Sequence, residues 1–185
     1  MKYYILFLIF CLYIYFNYTK YSREIKFAWI VFLKLNYTKE SAASIIAILD
    51  TYTNINPKYI DKNLLLENTN FTKVNSYFNQ DEQIENTFLD DVPLGINKFA
   101  SYEQKTFLKN LAKENRLSIF NLQIQLHTLD FFLRDERLYE INNIEEAVDK
   151  YIEIFYPDLL EKKNFIINKA HEFYDYFKDK NRESI

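Results

Sequence analysis

The stretch "NYTKESAASIIAILDTYTNINP", Asn36 to Pro57, predicts a helix that ends in an acid and a polar turn. Thr38 belongs to the residue types that cap helix N-termini. One apolar stripe at helical spacing follows it, formed by Ala42, Ile45, Ile46 and Leu49. The run ends at Asp50 and breaks into polar turn residues. Asp50 is therefore either a catalytic acid at the mouth of a cleft or a polar residue at a solvated helix end.

The rest of the chain also predicts helices, with a weaker pattern between Thr51 and Ala100. That middle stretch is rich in Asn and Asp, and we expect it to be irregular, with a short helix or strand or two. Elsewhere apolar side chains recur at helical spacing: Ile25, Ala28, Trp29 and Phe32; Phe107, Leu108, Leu111 and Ala112; Ile119, Leu122, Leu126, Leu129 and Leu133; Ile144, Ala147, Val148, Tyr151, Ile152 and Phe155; Ile166, Ala170, Phe173 and Phe177. Asn143 is the predicted N-cap of the fourth set, with Glu146 at its third helical position, and Pro157 is predicted to start the last helix.

Composition bounds the function. The chain has 185 residues, the length of one domain, and its net charge of −3 gives no basic footprint for nucleic acid. A single Cys excludes an internal disulfide framework, and a single Gly excludes a phosphate loop. His127 and His171 have no Cys partner at metal spacing, so we expect no zinc and no other cofactor. The 16 Tyr and 17 Phe are typical of A+T-rich coding and supply apolar material for a core.

The N-terminus predicts a membrane segment. "YYILFLIFCLYIYF", Tyr3 to Phe16, carries no charge and no helix breaker, and the residues after it bring it close to the roughly 20 needed to cross a bilayer. Residues 1–20 are therefore a predicted single-pass anchor; a cleaved signal peptide is the alternative, although its small-residue cleavage site is missing. Lys20, Arg23 and Lys26 follow the segment, which favours a cytoplasmic position for the main domain.

Two stretches carry a resemblance to a known family. The first is "FAWIVFLKLNYTKESAASIIAILDTYTNINP", from residue 27 to residue 57; the second begins "GINKFASYEQKTFLKNLAKENRLSIFNLQIQLHTLDFFL" at Gly95 and continues through "IEEAVDKYIEIFYPDLLEKKNFIINKAHEFYDYF". In their order and spacing, over about 150 residues, they resemble the phage tail lysozyme family. The resemblance implies a mainly α, lysozyme-like helical domain over residues 21–178, with a charged tail at 179–185.

This resemblance also implies cleavage of bacterial peptidoglycan. Glycoside hydrolysis needs a carboxylic acid to protonate the leaving oxygen, usually with a second carboxylate. When the sequences are aligned on Asn56 and Pro57, the family's catalytic Glu corresponds to Tyr52 and the Ser after it to Thr53. Asp50 lies two residues earlier, about 200 degrees around the helix. Asp90 and Asp91, in the irregular middle, are the other candidate acids.

The family's Gly-Leu-x-Gln-Trp motif also differs in this chain. It corresponds to Gly95, Ile96, Asn97, Lys98 and Phe99. The single glycine predicts a positive φ or a close approach. Phe99 is either a core residue or a ring that stacks on a sugar, and Lys98 changes the hydrogen bonding of the presumed cleft. Tyr52, Thr53, Gly95, Asn97, Lys98 and Phe99 are thus the predicted cleft residues.

Three hypotheses follow. The first is a membrane-anchored, phage- or virus-type lysozyme-like protein that acts on peptidoglycan as a muramidase or lytic transglycosylase, with degraded activity. The second is a catalytically inactive lysozyme fold that serves as a membrane-tethered structural or binding module of a virion or envelope apparatus. The third is an unrelated helical adaptor on a membrane. The first requires the domain outside the cytoplasm or on a virion membrane, in conflict with the charges after the anchor.

Overall fold

Residues 21–60 and 93–180 are described by the structure, a computed structural model. Within them lie six α-helices: α1 (Arg23–Lys34), α2 (Lys39–Thr53), α3 (Tyr102–Glu114), α4 (Leu122–Arg134), α5 (Ile144–Phe155) and α6 (Lys163–Phe177). Two 3₁₀ helices, Leu138–Glu140 and Pro157–Lys162, precede α5 and α6. The prediction of a mainly α chain is confirmed for this part of the molecule.

The central element is α2, against which α1, α5 and α6 all pack. Its residues from Ser41 to Leu49 are all buried, whereas the sequence predicted one apolar stripe. Small side chains explain the difference, because Ala and Ser let neighbouring helices approach on every side. The polar atoms of the serines are satisfied: Ser41 Oγ donates to the carbonyl oxygen of Leu138 at 2.5 Å, and Ser44 Oγ lies 2.8 Å from that of Glu40.

Side-chain caps fix where the helices begin. Thr38 Oγ1 accepts from the Ser41 amide at 3.1 Å, and Asn143 Oδ1 accepts from the Glu146 amide at 2.9 Å, so both predicted N-caps are confirmed. A cap of this kind stabilises a helix by about 1 kcal/mol. Ser22, Ser101 and Asn121 cap α1, α3 and α4 in the same way.

The two ends of the described chain meet at the contact between α1 and α6. Trp29 of α1 stacks on Phe177 of α6, with ring centroids 5.1 Å apart. Tyr21 packs edge-on against Phe173 at 4.9 Å. The inner face of α6 was predicted correctly, since Ile166, Ala170, Phe173 and Phe177 are all buried. Pro157, however, opens the 3₁₀ helix Pro157–Lys162 rather than α6 itself.

Isolated β-bridges join the two parts of the irregular middle region. Leu94 pairs with Ile60 and also with Phe99, both in antiparallel fashion. The four residues from Gly95 to Lys98 therefore form a tight turn, which we call the Gly95 turn. It lies against the C-terminal end of α2, because Thr53 bonds to Ile96.

The predicted membrane anchor, residues 1–20, lies outside the described residues, as do residues 181–185 of the predicted tail. Among the residues that are described, no helix is long and apolar enough to cross a membrane.

Candidate functional site

The Gly95 turn begins at a position that strongly favours glycine. Gly95 has φ of +75°, and a Cβ built there would lie 2.6 Å from Gln125 Oε1. Side chains are strained at such a φ, and the Gln125 amide cannot easily move aside because it is fully buried and bonded on several sides. The backbone of the turn thus lies directly against the side chain of α4.

Gln125 connects three separate loops through its side-chain amide. Its Oε1 accepts from the Ile96 amide at 2.9 Å, and its Nε2 donates to the carbonyl oxygens of Pro57 and Ile119, each at 2.8 Å. Every strong donor and acceptor of the group is used, which is the condition for burying an amide without a large penalty. The loop after α2, the Gly95 turn and the loop before α4 are therefore held in fixed relation.

Two tyrosines and a threonine hold the rest of the turn. Tyr151 donates its hydroxyl to Asn97 Oδ1, and Tyr156 donates to the Asn97 carbonyl oxygen. Thr53 Oγ1 lies 2.8 Å from the Ile96 carbonyl oxygen. Burial raises the pKa of both tyrosines well above their usual range, so they remain protonated donors. The turn is held rigidly, because side chains from α2, α4 and α5, and that of Tyr156 directly after α5, all form hydrogen bonds to it.

This rigid turn places Lys98 over Tyr52. The Lys98 ammonium lies 3.8 Å from the centre of the Tyr52 ring and 5.2 Å from that of Tyr59, within the range of cation–π attraction. The Tyr52 hydroxyl donates to Asp158 Oδ2 at 3.2 Å, and its ring packs on Tyr156 with centroids 4.3 Å apart. We call the four surface members, Tyr52, Tyr59, Lys98 and Asp158, the Tyr52 cluster.

Burial and the neighbouring charges together set the protonation of Tyr52. Partial burial raises the pKa of the Tyr52 hydroxyl, and the Asp158 carboxylate raises it further, whereas Lys98 opposes the rise. For Lys98, burial alone lowers the pKa, but interactions with Tyr52 and Tyr59 outweigh it and leave a net increase. Around neutral pH the cluster therefore holds a neutral phenol beneath a cation.

Asp50 does not belong to this cluster. Its Oδ2 lies 2.7 Å from Lys169 Nζ on α6, and the two side chains are only 17% and 22% exposed, respectively. Lys169 Nζ is also 3.4 Å from Thr51 Oγ1. Asp50 thus joins α2 to α6 through an ion pair, which differs from both alternatives that the sequence left open, a catalytic acid in a cleft and a polar residue at a solvated helix end.

The predicted cleft residues divide by exposure. Tyr52 and Lys98 are partly exposed, whereas Gly95 is buried and Thr53, Asn97 and Phe99 are 3%, 3% and 0% exposed. The buried members shape the site from beneath, and the Phe99 ring packs in the core, where a sugar cannot stack on it. Asp90 and Asp91 lie outside the described residues.

Sequence reasoning missed Asp158, Tyr59 and Tyr156. Asp158 is 106 positions from Tyr52 along the chain, and no spacing rule connects them. Gln125 lies between Leu122 and Leu126 of one predicted apolar set, and nothing in that spacing indicated its role.

Across the described ranges, no group of three or more His, Cys, Asp or Glu residues could hold a metal ion. His171 Nε2 instead lies 3.1 Å from Glu145 Oε1, between α6 and α5.

Compared with known protein families, curated proteins and solved structures, the chain matches none. The resemblance carried by the order of helices and turns stays a prediction.

Proposed function

We infer that this chain is a membrane-tethered, lysozyme-like module that binds bacterial peptidoglycan and has lost efficient hydrolysis. The observation that carries this proposal is Tyr52, held by Lys98 and Asp158 at the position where the resemblance places a catalytic Glu. A phenol whose pKa is raised above its usual value of about 10 cannot donate a proton as a carboxylic acid does.

The carboxyl group bonded to Tyr52 is a poor substitute for the missing acid. A general acid in glycoside hydrolysis works from partly apolar surroundings that keep it protonated. Asp158 is exposed to solvent and its Oδ2 accepts a hydrogen bond from Tyr52, so it lacks the partly apolar surroundings that a general acid needs. Asp50 is committed to Lys169 on the α6 side of α2. These contacts favour the inactive alternative over an active muramidase or transglycosylase.

The same cluster has the chemistry of a glycan contact. Tyr52 and Tyr59 offer partly exposed rings, while Lys98 and Asp158 offer a donor and an acceptor for hydroxyl and carboxylate groups. Binding sites for polar ligands combine apolar rings with a few fixed polar groups in this way. The Gly95 turn is held on three sides, so Lys98 loses little freedom when a ligand binds, which favours affinity.

Sedimentation with purified, insoluble peptidoglycan tests the proposal. The full-length protein is expected to sediment with the glycan without releasing soluble fragments. Tyr52→Ala should reduce binding by about tenfold or more, since a central aromatic anchor contributes about 2 kcal/mol. The matched control is Tyr174→Ala, which removes another partly exposed tyrosine near Glu40, at the opposite end of α2.

Two results would contradict the proposal. One is a Tyr52→Ala variant that sediments as well as the parent, which would remove the cluster from binding. The other is robust release of fragments by the parent. In that case Asp158→Asn and Asp50→Asn identify the acid, because only the catalytic carboxylate should abolish release when it is replaced by an amide.

A further inference from the structure

A second surface feature lies away from the Tyr52 cluster, between the first turns of α1 and α4. It is an open groove of about 470 Å³. From α1 it is lined by Arg23, Glu24, Lys26, Phe27 and Ile30, and from α4 by its first turn around Leu122. Phe27 is 38% exposed, a large ring left in contact with solvent. The proposed glycan contact uses none of these residues.

The groove combines an apolar wall with a cationic rim. Phe27, Ile30 and Leu122 provide the apolar part, and Arg23 and Lys26 provide two positive charges. The guanidinium of Arg23 is exposed and can bind a phosphate oxygen pair in bidentate fashion. Glu24 is the one acidic residue among the lining side chains, so the groove has an excess of positive charge.

The position of the groove, close in sequence to the apolar N-terminal run, limits the ligands that it can contact. α1 begins at Arg23, only six residues after Phe16, the end of the apolar run. Those residues span at most about 25 Å even when fully extended. If the run is the anchor of the proposed function, on which this step rests, the groove lies at the membrane surface, where phosphate headgroups meet acyl chains.

We propose that the groove between α1 and α4 binds the headgroup of an anionic phospholipid. Arg23 and Lys26 contact the phosphate, while Phe27, Ile30 and Leu122 pack against the first methylenes of the acyl chains. Each basic side chain close to an anionic membrane surface strengthens binding by about fivefold. The contact would orient the helical domain relative to the bilayer instead of leaving it free on its tether.

The test uses full-length protein in neutral detergent micelles and a short-chain lipid as the probe. Dihexanoyl-phosphatidylglycerol is titrated into one sample and dihexanoyl-phosphatidylcholine into a second. Trp29 fluorescence reports the midpoint of thermal unfolding, which a ligand of the native state raises. Trp29 is fully buried and stacked on Phe177, so its emission follows unfolding. The midpoint should rise with phosphatidylglycerol and stay unchanged with equal phosphatidylcholine.

Charge variants on the same helix locate the effect. Arg23→Glu should weaken phosphatidylglycerol binding by about tenfold or more, because it replaces an attraction with a repulsion. Glu24→Gln should strengthen it by about fivefold, since the opposing carboxylate is lost. Lys34→Glu is the matched control: it makes the same change of charge at the exposed C-terminal end of α1, outside the groove, and should leave affinity unchanged.

Equal responses to the two lipids would overturn the proposal, as would equal losses in Arg23→Glu and Lys34→Glu, which indicate attraction to overall charge. Failure here is distinguishable from failure of the proposed function. The lipid titration requires neither insertion of residues 1–20 nor peptidoglycan, whereas fractionation and sedimentation with glycan test those two separately.

Discussion

The positive charge of Lys98 limits the chemistry that a residue at position 52 can perform. Its ammonium lies 3.8 Å from the centre of the Tyr52 ring, so any acid placed there would sit beside a positive charge. A neighbouring cation favours the ionised carboxylate and lowers its pKa, which is the reverse of what a general acid requires. Lys98 would therefore weaken any general acid placed at position 52, so the effects of residues 52 and 98 on such chemistry are coupled.

The first prediction tests this coupling. Tyr52→Glu alone should leave peptidoglycan hydrolysis near background, because Lys98 keeps the new carboxyl ionised. Tyr52→Glu combined with Lys98→Gln should raise hydrolysis by about 10²-fold or more, the usual contribution of a positioned general acid. Release of soluble fragments from labelled glycan measures both. If the single variant equals an active double variant, Lys98 has no inhibitory role; if both are inactive, position 52 is not the family's acid position.

The second prediction concerns Gly95. Gly95→Ala should lower the free energy of unfolding by about 2 kcal/mol or more, since it adds a strained φ and a contact with the fixed amide of Gln125. Asn54→Ala is the control, because Asn54 also has a positive φ, of 53°, but is exposed at the end of α2. Urea unfolding followed by Trp29 fluorescence compares them. Equal losses would mean that Gln125 yields to the added methyl group.

Sequence could foresee this site only in part. The single glycine indicated the positive φ correctly, and the resemblance grouped Tyr52 with Lys98. The hydroxyl contact of Tyr52 with Asp158 and the pairing of Asp50 with Lys169 were not foreseen. Both contacts join residues that are more than 100 positions apart, and they depend on how α2 packs against the end of the chain.

At the scale of the elements, α5 is the clearest amphipathic helix. Val148 is fully buried on its inner face, while Ile154 on the outer side is 36% exposed. Its N-cap and its inner residues were all predicted from the sequence, because the cap signal is local and the spacing is regular. The full burial of α2 was not predicted, since its serines and alanines are found as readily on helix surfaces as in cores.

The third prediction separates the two faces of α5. Val148→Asp should lower the free energy of unfolding by more than about 3 kcal/mol, because it buries an unpaired carboxyl in the core. Ile154→Asp, the same kind of change at an exposed position, should cost less than about 1 kcal/mol. Thermal or urea unfolding measures the two. A Val148→Asp variant as stable as the parent would show that this face is not buried.

At the scale of the whole molecule, the helical domain begins in the sequence directly after the proposed anchor, residues 1–20. The fourth prediction is that full-length protein partitions into membranes, whereas a chain beginning at Tyr21 stays in the soluble fraction. The reason is that the uncharged apolar run at residues 3–16, with the residues after it, comes close to the length needed to cross a bilayer. Fractionation followed by carbonate washing measures this difference. Equal partitioning of the two forms would contradict the anchor.

The contact between α1 and α6 has a consequence for synthesis of the protein. Trp29 of α1 stacks on Phe177 of α6, and α2 packs against α6 as well, so the first helices have no complete core until the last one is available. Domains often fold while the ribosome is still adding residues. Here a nascent chain ending before Lys163 would leave apolar faces of α1 and α2 uncovered. Folding of this domain must therefore await release of nearly the whole polypeptide, and until then its early helices are potential substrates for chaperones.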